Sequence, residues 1–266
     1  MDAAALAASD MKQRVDYDRV ADVYESRYQL NDYTGVETAL VTFVEGAHMS
    51  QQRVLEVGCG GGHWLRRLGE SGLNVFGLDP SARMFAVAHA AVGGGRLVRG
   101  RAEALPYASS FCGRVFSINA LHHFDEPAAF FSEARRVLCA GGRLLTVGLD
   151  PHTGQDEWWI YDYFPAALIE DRRRYLPSGR IRDLMAKAGF SNCETRIIQH
   201  RPRVMTVSEA SSDGFMDRTS TSQLMVISES EYEAGVKRIH EGVADTGGVK
   251  MLRSDLRIYG TTGWVA

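Results

Sequence analysis

Arg53-Val54-Leu55-Glu56-Val57-Gly58-Cys59-Gly60-Gly61-Gly62-His63-Trp64 is the stretch that decides how this chain folds. Val54, Leu55 and Val57 suit a strand covered on both faces. The glycines that follow permit positive φ and leave no Cβ between the backbone and a bound molecule. A helix then begins, and its first amides face that molecule. Strand, glycine turn and helix in this order hold a nucleotide-like ligand, the bland alternative being a tight turn with no ligand. A dinucleotide fingerprint would require a third glycine three residues after the second; His63 stands there instead.

Downstream, a second apolar run over residues 74–78 ends in Asp79. This lies about 20 residues beyond the glycine turn, the spacing at which such folds set a carboxylate against ribose hydroxyls. Asp79-Pro80-Ser81 also reads as a helix start, and both roles are compatible. A third strand-like run precedes Arg101-Ala102-Glu103-Ala104-Leu105-Pro106-Tyr107. Val115-Phe116-Ser117-Ile118-Asn119-Ala120-Leu121-His122-His123-Phe124 predicts a fourth strand followed by a loop at the carboxyl edge of the sheet, where open parallel sheets bind ligands. Arg136-Val137-Leu138-Cys139-Ala140-Gly141-Gly142-Arg143-Leu144-Leu145-Thr146-Val147 predicts a helix end, a glycine stop and a fifth strand.

These segments, in this order over roughly 100 residues, resemble the motifs of class I S-adenosylmethionine (SAM) dependent methyltransferases. The pattern is similar to that of the small-molecule type, which includes the ubiquinone and menaquinone C-methyltransferases. The chain departs from the common pattern at Phe111-Cys112 and at Cys139-Ala140-Gly141-Gly142. The resemblance implies an α/β, Rossmann-like fold with a seven-stranded, mostly parallel sheet, one antiparallel strand near an edge, flanking helices and helical cap elements. It implies SAM as cofactor and S-adenosyl-L-homocysteine (SAH) as product. Gly58, Gly60 and Gly62 would shape the loop at the methionine end, Glu56 would orient that loop or the amino group, and Asp79 would take the ribose. Met84 would pack near the adenosine, Ala102 and Glu103 would meet the base, and Asn119 would contact the reacting end. His122 and His123 stand next to that end. Either can serve as a base, with His123 favoured, or both can be packed and hydrogen-bonded structural residues.

The resemblance implies that three flanking regions would distinguish acceptors, a helical cap over residues 1–48, the segment 150–177 and an insertion over 203–254, around a cofactor core at 49–149. Residues 11–48 are predicted helical, with Tyr17, Val20, Ala21, Tyr24 and Tyr28 close to one face. That stripe is either core packing or, as the resemblance implies, a cover over the pocket in which Tyr24 meets cofactor and Tyr17 meets substrate. Trp158, Trp159, Tyr161 and Tyr163 supply an aromatic wall for an organic substrate, or a helix docked on the sheet. The arginines of Asp171-Arg172-Arg173-Arg174-Tyr175 clamp an anion, or lie on a solvated helix face. An amphipathic helix is predicted over 177–188 with Gly189 as its stop, a sixth strand over 193–199, a helix over 229–241 and a last strand around 256–259.

At 266 residues the chain is long enough for one globular enzyme domain with added substrate elements. A formal charge of −3 gives no footprint for nucleic acid, so RNA is a secondary acceptor and nucleic-acid binding is not expected. The familiar Asn-Pro-Pro-Tyr-like motif of DNA base methylation is not present at the fourth strand. The four cysteines form no Cys-x-x-Cys pair, so neither a metal site nor a disulfide framework is expected. The short apolar opening Met1-Asp2-Ala3-Ala4-Ala5-Leu6 lacks the basic lead-in of a signal peptide. No run is long enough to span a membrane, and a cytoplasmic protein is expected. The leading expectation is methyl transfer to O, N or C of a small organic molecule; a SAM-binding regulator is the alternative from another class.

Overall fold

Strand and helix alternate along the core. In a computed structural model the described residues are 15–21, 24–45, 53–93, 96–245 and 249–266. The N-terminal part holds a 3-10 turn (Tyr17–Arg19), α1 (Ser26–Leu30) and α2 (Thr34–Val44). The core runs β1 (Arg53–Val57), α3 (His63–Glu70), β2 (Asn74–Asp79), α4 (Ala82–Val92), β3 (Leu97–Arg99), β4 (Cys112–Ile118), α5 (Pro127–Val137) and β5 (Leu138–Gly148). Then come β6 (Glu157–Trp158), α6 (Trp159–Tyr163), α7 (Pro165–Arg174), α8 (Ser178–Lys187) and β7 (Ser191–Thr206). The chain closes with α9 (Val207–Ser212), α10 (Ser222–Val226), α11 (Glu229–Asp245) and β8 (Met251–Trp264).

The sheet runs β3-β2-β1-β4-β5-β8, with β7 on the other edge of β8. β1 to β5 are parallel, and β8 is antiparallel to both β5 and β7. The expected fold class is the observed one. The period-2 alternation of the central strands explains the two layers. Leu55, Val115 and Leu144 point to the face covered by Phe130, Phe131 and Ala134 of α5 and by Leu184 and Met185 of α8. Their neighbours Val54, Phe116 and Leu145 point to the face covered by Leu40 and Phe43 of α2 and Trp64, Leu65 and Leu68 of α3. Strands buried on both faces are why the sequence reads there as near-continuous apolar runs.

Several boundaries differ from the sequence expectation. The N-terminal region is not one long helix. It breaks into three short pieces, so Tyr17, Tyr24 and Tyr28 meet edge to face across turns and not along one helix. Residues 1–14 and 46–52, which include parts of that expected cap and the apolar opening, lie outside the described residues. Helix α5 ends at Val137, before the glycines; Gly141, at φ 71°, instead shapes the irregular start of β5. The sixth expected strand grows to sixteen residues and the last to fourteen, so the insertion between them narrows to 207–250. The reason is mutual: β7 and β8 pair from Ser191 with Trp264 to Thr206 with Met251. β7 has much of its length exposed, so it carries no apolar run to reveal it.

The far half of this ribbon, with β6 and helices α6, α7 and α9 to α11, carries a separate core and forms a cap distinct from the N-terminal segment. Trp158, Trp159 and Phe164 pack with Met205, Val207, Leu224, Ile239 and Leu256. Helix α11 comes so close that a Cβ on Gly235 would lie 2.2 Å from the Phe164 ring. The N-terminal region is pinned to β7 by the Gln199 side chain, which accepts from the Val36 N–H at 3.1 Å and donates to the Asp32 carbonyl at 2.9 Å. Among the described residues no helix is long and apolar enough to cross a membrane.

Candidate active site

The site forms where β1 and β2 end. The amides of Gly58 and Cys59 both donate to the Leu78 carbonyl, at 2.8 and 3.0 Å, which ties the glycine loop to the tip of β2. Gly58 has φ 78°, and a Cβ there would lie 2.5 Å from the Ala120 Cβ, so both backbone conformation and space require glycine. Gly60 has φ 52°, a Cβ there would touch the Tyr24 ring at 3.6 Å, and its amide donates to Asp79 Oδ2 at 2.8 Å. Gly62 stands at the N-terminus of α3 in the left-handed region.

Asp79 is therefore a brace as well as a lining group. Its Oδ1 accepts from the Ser81 amide at 2.9 Å, while Ser81 itself caps α4 by accepting from the Met84 amide at 3.0 Å. Because Ser81 takes the capping role, the Asp79 carboxylate is left to the loop and the cavity. Burial raises its pKa, against the lowering effect of the two backbone donors. Glu56 is 1% exposed, and its Oε2 has no hydrogen-bond partner. Burial first, and the nearby Asp79 charge second, hold its carboxyl well above the usual range.

A cavity of about 340 Å³ joins these groups. Glu56, Gly58, Gly60, Asp79 and Met84 form one wall; Asn119, His123 and Phe124 form another; Tyr17, Tyr24 and Tyr28 close the top. Asn119 has φ 51°, a strained conformation for a residue with a side chain, of the kind that collects at functional sites. Its amide donates to the Val147 carbonyl at 2.9 Å, which holds the end of β4 in place. The Tyr17 hydroxyl lies 2.6 Å from His123 Nε2 across 106 residues of sequence. Burial pushes the Tyr17 phenol up to about 12, so at neutral pH it keeps its proton and can donate to an unprotonated imidazole nitrogen.

His122 faces away. It is buried and stacked on Tyr175 with ring centroids 4.0 Å apart, so of the two histidines only His123 lines the cavity. Ala102 is packed in the core and Glu103 accepts from the amides of Asp125 and Glu126 at 2.8 and 3.3 Å; neither lines the cavity, though Asp125 does. Trp158 and Trp159 line a second cavity of about 120 Å³ beside Arg201 and Arg203. The Tyr161 hydroxyl donates to Asp171 at 2.6 Å, and the Tyr163 carbonyl accepts from Arg238 at 3.1 Å. The structure brings none of these four aromatics to the main cavity.

Sequence reasoning missed the latches that hold the N-terminal segment down. Asp18 accepts from the Ser81 hydroxyl at 2.5 Å and the Arg83 amide at 3.2 Å, and Glu25 meets His63 Nδ1 at 2.8 Å while Tyr28 stacks on the His63 ring. His63 is thus the base of a latch, which explains a side chain where a fingerprint glycine would stand. Asp16, Asp18, Asp79, Asp125 and Glu56 all border the cavity. A strongly acidic rim with buried carboxyls favours a ligand bearing positive charge and hydroxyl donors.

Residues 55–146 match the family model described as a methyltransferase domain. The matched segment coincides with β1 to β5, the part that builds the glycine loop, Asp79 and the Asn119–His123 turn. A probable phthiotriol/phenolphthiotriol dimycocerosates methyltransferase of Mycobacterium ulcerans is 32% identical over 116 residues, 42% of this chain and 45% of that protein. The chain spans less than half the length of the first curated relatives it matches. A methyltransferase from an antibiotic biosynthesis pathway of Anabaena variabilis superposes with TM-score 0.63 at 21% identity, covering 88% of this chain and 98% of that one. Phosphoethanolamine N-methyltransferase 2 of Haemonchus contortus, solved with SAM, superposes with TM-score 0.59 at 19% identity, covering 93% of this chain and 57% of that one. The fold around the domain is accordingly that of the Rossmann-like, class I SAM-dependent methyltransferases.

Proposed function

We propose that the chain transfers a methyl group from SAM to an O, N or C atom of a small organic molecule. The observation that carries this reading is that one cavity holds both the glycine loop with Asp79 and the Asn119–His123 turn. The groups suited to a nucleotide-like cofactor and a candidate base therefore share one space. The residues present fit SAM: the unpartnered Glu56 Oε2 faces the need for a cationic amino group, Asp79 retains acceptor capacity for ribose hydroxyls, and Met84 offers an apolar surface beside them. When bound, SAM supplies an electrophilic methyl group and a neutral thioether leaving group.

The protein's share is alignment and exclusion of water. Tyr17, Tyr24 and Tyr28 cover the cavity, and Asn119 fixes the turn that presents His123. His123 Nε2 accepts a proton from an acceptor that takes the place of the Tyr17 hydroxyl. His122, stacked on Tyr175, positions that turn. In this division of labour 49–149 holds the cofactor, and the N-terminal segment with 150–177 and 203–254 shapes the acceptor side. The resemblance to the quinone subgroup is not extended to a quinone acceptor, so the acceptor is sought among small molecules at large. Cytoplasmic placement belongs to the same proposal, on the sequence grounds above.

The test is a mass-spectrometric search for metabolites that gain one methylene's mass when protein and SAM are added to a deproteinised cell extract, with Asp79→Ala as control. A protein-dependent product establishes methyl transfer and names the acceptor. No product, with SAM binding verified, overturns the small-molecule reading in favour of RNA or of a regulatory role.

A further inference from the structure

Helix α7 seals two charges beneath the cap: Arg174 is 2% exposed and Asp171 is completely buried. The solvated helix face expected for Asp171-Arg172-Arg173-Arg174-Tyr175 is therefore true of Arg172 and Arg173 only. Arg174 Nη2 donates to Asp171 Oδ1 at 2.5 Å and lies 3.5 Å from Ser222 Oγ. The other oxygen of Asp171 accepts from the Tyr161 hydroxyl at 2.6 Å and from the Gln223 amide at 2.8 Å. The carboxylate is thus well served by donors. The guanidinium is not, because Arg174 Nε and Nη1 have no acceptor. Buried polar atoms are nearly always partnered, and a guanidinium has only donors to offer.

The position of this group relates it to the main cavity. The Arg174 guanidinium carbon is 5.8 Å from the centroid of the Tyr175 ring. Tyr175 stacks on His122, whose ring is 3.9 Å from that of His123 in the cavity wall. Arg174 and Arg27 both act electrostatically on the Tyr17 hydroxyl that closes the cavity over His123. The Arg174 charge is balanced on one side by Asp171, while its Nε and Nη1 stay without an acceptor.

The geometry points to Arg174 as the receptor for an anionic group, a carboxylate or a phosphate monoester, on the methyl acceptor. The acceptor then displaces the Tyr17 hydroxyl from His123, its nucleophilic atom toward His123 and its anion toward α7 beside Tyr175. A charge-assisted hydrogen bond to a fixed guanidinium is the contact that suits both anions, and Asp171 holds the guanidinium in place. This rests on the methyl-transfer reading for the bound molecule being the acceptor.

The experiment uses the full chain and the same deproteinised extract, untreated, treated with phosphatase, or with its carboxylates amidated by carbodiimide and an amine. The expected result is that one treatment abolishes the methylated product and thereby names the anion, and that Arg174→Gln raises KM for that acceptor by roughly 10- to 150-fold, the range for a lost hydrogen bond to a charged group. SAH affinity should stay within about twofold of wild type, since Arg174 does not line the cofactor wall. The double variant Asp171→Asn with Arg174→Gln removes the charge pair together, so that a fold weakened by a lone buried carboxylate is told apart from lost recognition. A product that survives both treatments and is made equally well by both variants overturns the proposal. If no product forms although SAH binds, methyl transfer fails, and the anion site is then decided by titrating SAH-loaded protein with inorganic phosphate and with acetate. Saturable stabilisation that the double variant loses supports the site; no stabilisation by either anion overturns it.

Discussion

Glu56→Gln takes one ionisable carboxyl from the floor of the cavity while keeping its shape, and two opposite consequences follow. In the ligand-free protein the Glu56 carboxyl is 1% exposed, its Oε2 has no partner, and burial together with Asp79 raises its pKa well above the usual value. A proton held more tightly in the folded than in the unfolded state contributes stability that is fully present below the unfolded pKa, near ~4.3, and is lost as pH rises through the folded one. Glutamine has no proton to lose. The melting temperature of the variant should therefore gain on that of wild type as pH is raised from about 5 to about 8.

Cofactor binding should move the other way. A ligand ammonium set against an ionised Glu56 gains a charge-assisted hydrogen bond worth about 1.5–3 kcal/mol, so the variant should bind SAH roughly 10- to 150-fold more weakly. Because the ligand draws the proton off Glu56, wild-type affinity should rise with pH while the variant's dependence is shallower. Titration calorimetry in buffers of different ionisation heat reads this directly as proton release by wild type in excess of that by the variant. Equal SAH affinity with equal proton release would refute the assignment of Glu56 to the amino group. A variant that loses stability relative to wild type as pH rises would refute the reasoning about its protonation.

Asp79→Ala should weaken SAM binding by about 1.5–3 kcal/mol through loss of charged hydrogen bonds, measured by equilibrium dialysis; an unchanged dissociation constant would remove Asp79 from the ribose. His123→Ala should leave SAH affinity nearly intact and slow turnover by roughly 100-fold or more on an acceptor that must lose a proton, and a wild-type pH–rate profile would exclude it as the base. Gly58→Ala should destabilise the fold by more than about 1 kcal/mol, because φ 78° and the 2.5 Å approach to Ala120 both oppose a side chain. Pairing it with Ala120→Gly should recover the steric share and leave the backbone share; full recovery in a melting experiment would show that φ contributes nothing.

What the sequence revealed were groups whose partners are near in the chain or whose pattern is periodic. That Glu56, Gly58, Gly60 and Asp79 would lie together could be read because a strand, a turn and a helix follow one another without interruption. The alternating central strands could be read because both of their faces are buried. The pairing of Tyr17 with His123 could not, since it joins residues 106 apart and neither carries a local signal for the other. The aromatics from Trp158 to Tyr163 have the composition of a binding wall and the location of a cap core, and composition alone does not separate the two. The placement of Ala102 and Glu103 outside the cavity lining had no local signal either: Glu103 accepts from the Asp125 and Glu126 amides, a tertiary bond that no local pattern announces. Arg174 shows the reverse error. A run of three arginines reads as solvated, yet the turn of α7 carries one of them inward with Asp171 three residues before it.

The long ribbon of β7 and β8 has a mechanical consequence. β8 pairs with β5 over Tyr259–Trp264 and with β6 at Ser254 and Asp255, so the same strand serves the central sheet and the cap without a break. To swing the cap as a body, the protein would have to shear or twist a ladder of more than a dozen paired residues. The cap is thus a fixed jaw. On the proposed reading, traffic of cofactor and acceptor falls to the opposite jaw, the stretch before α2, which meets the core through discrete bonds of Tyr17, Asp18 and Glu25. Substitutions on the fixed jaw should change which molecules fit, whereas substitutions at those three bonds should change how fast any molecule is exchanged.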